Sequence, residues 1–161
     1  SNNKHIPFFL ISIIIFIVIS LWFLLFSLLK KELTLFTFLV ISIFDSFSQI
    51  TGQLWGRKKI LPGISPNKTL GGLTGGLIIS IVSAYLLNNL FVGTVAELFI
   101  FTLGTIFFAF VGDVLASVYK RKYMVKDYSK LIPGHGGFLD RFDSLIAGGA
   151  WAALYFQFIV T

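Results

Sequence analysis

Residues 120–143 read KRKYMVKDYSKLIPGHGGFLDRFD, a stretch that interleaves basic and acidic side chains within an otherwise apolar chain. Lys120, Arg121, Lys122, Lys126, Lys130 and Arg141 can pair with phosphate oxygens. Asp127, Asp140 and Asp143 are hard oxygen donors suited to a magnesium ion carried by those phosphates. A surface loop would not require both kinds of charge. Asp140 and Asp143 are three positions apart, which on a helix puts them on nearly one face. Asp113 stands near the end of the preceding apolar run. Two helices meeting at this point could gather three carboxylates around one or two metal ions and neutralise phosphates during substitution at phosphorus. The plainer alternative is a solvated belt of interfacial charge. Between the acids, Pro133, Gly134, His135, Gly136 and Gly137 supply a turn with open amides for anionic oxygen. His135 could donate to phosphate, act as acid or base, or simply cap the loop.

The elements that must position these groups are oily. Of 161 residues, 56% are hydrophobic, 17% aromatic and only 12% charged, about half the charge of an ordinary soluble domain. The composition points to a membrane protein. The net charge of +6 then reads as side-biased membrane anchoring. No basic helical face or aromatic-interleaved motif accompanies it, so no nucleic-acid partner is expected. With no cysteine, disulfide and thiolate chemistry are excluded.

Five apolar runs, 6–29, 33–55, 70–87, 90–119 and 142–160, are long enough to be read as spans, since about 20 helical residues cross a bilayer core. The expected fold is therefore all-α, a polytopic integral membrane helix bundle of about five spans forming one domain over residues 1–161. Run 90–119 exceeds a single crossing, so it should tilt, break near Gly93, or extend beyond the membrane and carry Asp113 towards the charged loop. Pro62 and Pro66 interrupt helix in the connection before residue 70. Five crossings would put eleven of the thirteen basic residues on one side and only Lys30 and Lys31 on the other. That bias turns the charged loops and the polar site towards the cytoplasm.

Within the runs, Asp45 is costly in apolar surroundings and should face protein, water or a cation, or else hydrogen-bond a neighbouring helix. Gly71, Gly72, Gly75 and Gly76 allow either close helix packing or backbone approach to a phosphate. Glu97 is read as interfacial.

Residues 117–145, SVYKRKYMVKDYSKLIPGHGGFLDRFDSL, resemble the signature of the phosphatidate cytidylyltransferase (CDP-diacylglycerol synthase) family. That pattern runs S, two residues, KR, four residues, KD, then a segment ending in PGHGG, DR and D. Upstream, Asp45, Gly52, Gly56 and Arg57, the SPNKT of residues 65–69, Gly72, and Gly112 with Asp113 resemble further elements of the same family. Gln49, Gly71 and Ala116 depart from it: the family commonly has an aromatic residue at the first position and acidic residues at the other two.

The resemblance implies the reaction of CTP with phosphatidate to give CDP-diacylglycerol and pyrophosphate. It also implies a magnesium ion at Asp113 and Asp140, with Asp143 completing or orienting its shell, and potassium as a second cation. Lys68, Lys126, Arg121 and Arg141 become phosphate clamps, joined by His135. Ser65 and Thr69 offer hydroxyl contacts, Asp127, Gly136 and Gly137 belong to the substrate-binding surface, and Asp45 organises a polar cavity. The family carries additional N-terminal membrane helices, so the chain would correspond to its catalytic C-terminal part. It would act in a bacterial inner (cytoplasmic) membrane as a homodimer. Other functions compatible with the residues are a CTP-dependent lipid-alcohol kinase, a polytopic transporter or channel, and a degenerate membrane protein without catalysis.

Overall fold

Residues 17–18, 20–122 and 139–158 are described by the computed structural model, the side chains of 139–142 and 158 excepted. Helix α1 covers residues 20–27. A turn at Leu28 and Leu29 leads into α2, Lys31–Trp55. Apolar residues fill α2 with no glycine or proline before Gly52, and Glu32 lies in its first turn, where the helix dipole favours negative charge. Thr37 and Thr51 satisfy their hydroxyls inside the helix by donating to Leu33 O at 2.8 Å and Phe47 O at 2.7 Å. The helix ends at Gly56, whose N–H donates to Gly52 O at 3.0 Å.

The connection that follows is a hairpin rather than an irregular loop. Strands β1, Lys59–Leu61, and β2, Ser65–Thr69, pair antiparallel with Lys59 opposite Thr69 and Leu61 opposite Ser65. In a two-stranded ribbon each strand is an edge, so Pro66 forfeits no central ladder bond. Thr69 then begins α3, Leu70–Leu86, its Oγ1 accepting from Gly72 N at 3.1 Å, as a helix N-cap should.

Helix α3 lies tightly on α2. A Cβ on Gly76 would sit 2.8 Å from Ser48 Cβ and 3.1 Å from Phe44 O, and one on Gly75 would meet Thr51. Of the two readings of these glycines, close packing accounts for all four, a Cβ on Gly71 meeting Trp55 O at 2.9 Å. After a 3-10 turn at Asn88–Leu90, Gly93 adopts φ +149° and breaks the apolar run. Helix α4, Val95–Lys122, starts just beyond it. Glu97 closes a capping box there: its Oε2 accepts from Thr94 N at 2.6 Å, and its own N–H donates to Thr94 Oγ1 at 3.3 Å.

Helix α5, Leu139–Phe158, packs along α4, with Gly112 admitting Ala147 and Gly148 admitting Ile41 and Ala109. Phe36, Phe91, Phe101, Tyr155 and Phe156 form an aromatic core, with ring centroids 5.2 to 6.0 Å apart. Phe101 and Asp113 are about 18 Å apart along α4 at 1.5 Å per residue. The bundle therefore has an aromatic end and, a dozen residues along the same helix, a charged one.

The expected count of about five membrane spans is corrected. Among the described residues two helices, α2 and α4, are long and apolar enough to cross a membrane. Helix α3 is apolar but has 17 residues, because the hairpin and the Thr69 cap fix its start and the 3-10 turn ends it. Helix α5 opens with Asp140, Arg141 and Asp143 and is diluted by Ser144, Gly148 and Gly149. The first run lies largely outside the described residues. The sidedness inferred from five crossings loses its basis with them. Apolar side chains are nonetheless turned outward on several helices, among them Leu54, Ile78, Leu86, Phe107 and Leu115, each more than half exposed. A surface of this kind with two apolar helices supports a membrane-associated protein.

Candidate active site

Three elements bring ionisable groups to the charged end. Asp113 comes from α4, Asp143 from the first turns of α5, and Lys68 from β2 immediately before the α3 cap. Close packing at Gly112 sets the α4–α5 spacing, since a Cβ there would meet Asp143 O at 3.0 Å. Lys68 Nζ lies 2.5 Å from Asp113 Oδ2 and 4.5 Å from the centre of the Phe110 ring one turn earlier on α4. Nζ is buried, yet among the described residues it has no directed hydrogen bond, so the pair is a charge contact without hydrogen-bond alignment.

Asp45, on α2, joins from the other side. Its Oδ2 accepts from Ser144 Oγ at 2.8 Å, and Asp113 and Lys68 both lie within its electrostatic range. Asp143 Oδ1 accepts from the Ser144 N–H at 2.8 Å, and Lys120 Nζ stands 3.9 Å from its Oδ2. Asp143 lies outside the two apolar helices. Burial, and secondarily the charge of Asp113, pushes its carboxyl up to about 6, against the pull of the Ser144 N–H and Lys120.

Among the described residues, three carboxylates face two ammoniums in this half-buried cluster, an excess of negative charge that is expensive in a low dielectric unless a cation completes it. The donor chemistry suits a hard divalent ion: carboxylate oxygens from two packed helices, with an ammonium already seated against one of them. Among the described residues, however, no group of three or more His, Asp or Glu is close enough together to hold a metal ion. Asp140 begins α5 one turn before Asp143, but its side chain is outside the description, as is that of Arg141.

The other expected site residues divide into two groups. Arg121 Nε donates to Ile64 O at 3.1 Å and ties the hairpin turn to the end of α4. Ser65 opens β2 opposite Leu61, and Thr69 caps α3. Lys126, Asp127, His135, Gly136 and Gly137 lie outside the described residues. Sequence reasoning missed Ser144 and Phe110. Ser144 follows directly on DRFD, and that adjacency was the available signal. Phe110 looked like one apolar residue among many.

The chain matches the model of the cytidylyltransferase family over residues 1–159. It is 37% identical over 134 residues to a phosphatidate cytidylyltransferase of Haemophilus influenzae, covering 80% of this chain and 46% of the relative. It is 44% identical over 115 residues to one of Staphylococcus saprophyticus, covering 70% and 44%. A Bacillus subtilis phosphatidate cytidylyltransferase is 39% identical over 104 residues, covering 63% and 39%. The chain thus spans a little under half the length of the Haemophilus and Staphylococcus relatives it matches. With nearly its whole length matched by the family model, this chain belongs to the cytidylyltransferase family.

Proposed function

We propose that the chain carries the site of a CTP:phosphatidate cytidylyltransferase, which joins CTP and phosphatidate to give CDP-diacylglycerol and pyrophosphate. The observation that carries this reading is the meeting of Lys68, Asp113 and Asp143 at one end of the bundle in a chain whose relatives bear that name. A phosphate oxygen of phosphatidate attacks the α-phosphorus of CTP, and the bond from that phosphorus to the oxygen bridging to the β-phosphorus breaks. Phosphatidate is already ionised at neutral pH, so the chain need supply no nucleophile and no strong base.

What the protein supplies is position and charge. Asp113, Asp140 and Asp143 would hold Mg2+, with K+ as a companion cation. Bound there, magnesium supplies Lewis-acid polarisation of the phosphoryl oxygens. Lys68, Lys126, Arg121 and Arg141 neutralise the triphosphate, assisted by His135 and the amides of Gly136 and Gly137. Ser65, Thr69 and Asp127 contact substrate, while Asp45, fixed by Ser144, keeps the polar wall in place. The acyl chains of phosphatidate remain in lipid against the outward apolar surface. The reading sets the protein in a bacterial cytoplasmic membrane, as a homodimer, with its site open to cytoplasmic CTP.

The test is incubation of the chain in lipid or detergent with phosphatidate, CTP and Mg2+. CDP-lipid and pyrophosphate should appear in equal amounts. Release of CDP with phosphorylation of a lipid alcohol would instead establish the kinase alternative.

A further inference from the structure

Lys68 is half-buried, with its Nζ out of contact with water, and it is held in an unusual way. Its ammonium has three donors, yet among the described residues it meets one carboxylate, Asp113, and the face of Phe110. Among those residues it makes no directed hydrogen bond. An ammonium removed from water and left under-coordinated is costly, and its four-carbon stem can swing without moving the backbone. The backbone itself is pinned on both sides, by the Thr69 cap on α3 and by Arg121 holding the hairpin at Ile64. Asp113, its partner, is also the carboxylate that acts electrostatically on both Asp45 and Asp143. It is therefore the hub of the acidic cluster.

We infer that Lys68 is a tethered counter-cation to Asp113 that changes partner when substrate arrives. The inference rests on the function proposed above and adds the order in which charges pair. A divalent cation bound at Asp113 would meet the like charge of Lys68, whose ammonium sits 2.5 Å from Oδ2. A cation that arrives with a triphosphate brings anionic oxygens along with it. Two ion pairs then exchange partners: the Lys68–Asp113 and metal–phosphate pairs become Asp113–metal and Lys68–phosphate. No bond is made or broken beyond these contacts, and neither state leaves a buried charge alone. The consequence is linkage. Metal and nucleotide should bind each other's complexes more tightly than either binds the empty protein, and a free cation should bind poorly because Lys68 opposes it.

Mn2+, followed by its paramagnetic signal, and CTP in the absence of phosphatidate are the probes, with the Mn2+–CTP complex in solution corrected for. In the wild-type chain CTP should tighten Mn2+ binding about tenfold, within the usual range of coupling between two sites. In Lys68→Met, Mn2+ alone should bind about tenfold tighter than in wild type, CTP should bind more weakly, and the coupling should fall. Lys68→Arg, which keeps the charge, should retain coupling. A purely structural lysine would not move the two affinities in opposite directions. Wild-type affinity for Mn2+ in a folded Lys68→Met chain, with coupling intact, overturns the exchange. So does a wild-type chain that binds Mn2+ equally well with and without CTP, whether or not the variant folds. Coupling of the expected pattern in a chain that makes no CDP-lipid keeps the exchange and removes the proposed reaction. Normal turnover with coupling unchanged in Lys68→Met does the reverse.

Discussion

The Ser144 hydroxyl donates to Asp45 Oδ2 at 2.8 Å, tying α5 to α2 across 99 positions of sequence. The same residue's N–H donates to Asp143 Oδ1, so one serine holds two of the three clustered carboxylates. Ser144→Ala should lower stability by about 1 to 3 kcal/mol, the cost of taking a donor from a partly buried carboxylate. Ser144→Thr, which keeps the hydroxyl, should recover most of it. Thermal unfolding in detergent checks this, and equal melting of the alanine variant and wild type would remove the tie from the account.

Asp143→Asn separates stability from activity. Burial and Asp113 raise the Asp143 carboxyl to about 6 from an ordinary 3.8, so between those values the folded chain binds more protons than the unfolded one. The favourable contribution is full below 3.8 and is lost as pH rises through about 6. Asparagine has no such dependence. Without metal, the variant should gain on wild type as pH climbs from 4 to 6. The gain should level off above that at about 1 kcal/mol, solvent screening reducing the full linkage value. CTP turnover should nonetheless fall roughly a hundredfold or more, as when an electrostatic contact to the reacting group is removed. Melting curves and turnover measured on the same samples decide it.

The glycines of α3 make a paired prediction. Gly76→Val would drive methyl groups into Ser48 and the Phe44 carbonyl and should cost about 1 to 3 kcal/mol by overpacking. Gly63→Ala, in the hairpin turn with nothing within 4 Å of a Cβ, should stay within about 0.5 kcal/mol of wild type. A tolerated Gly76→Val would mean that α2 and α3 do not approach as closely as described.

Apolar runs marked out the helices well, because the hydrophobic signal in each is nearly continuous and glycine, proline or charge clusters bound it. Run 33–55 became Lys31–Trp55, and run 90–119 broke at Gly93 and continued to Lys122. Run length did not establish membrane crossing. Helix α3 is cut short by Thr69 and the 3-10 turn, and α5 spends its first turns on charge. The hairpin escaped notice because Pro62 and Pro66 signal only that helix stops. Read alone, Glu97 showed only an acid in an apolar run, since its capping role depends on Thr94 three positions earlier. Asp113 and Asp143 could be singled out as acids in oily surroundings. The contacts that tie the cluster together, Lys68 to Asp113 and Ser144 to Asp45, are long-range, and spacing along the chain does not carry them.

The most direct measurement follows two phosphorus labels of CTP in the presence of phosphatidate and Mg2+. Label at the α-position should enter the lipid fraction while label at the γ-position leaves as pyrophosphate, and Asp113→Asn should abolish both transfers without unfolding the chain. Label from the γ-position in lipid, or undiminished α-transfer by a folded Asp113→Asn chain, would contradict the account.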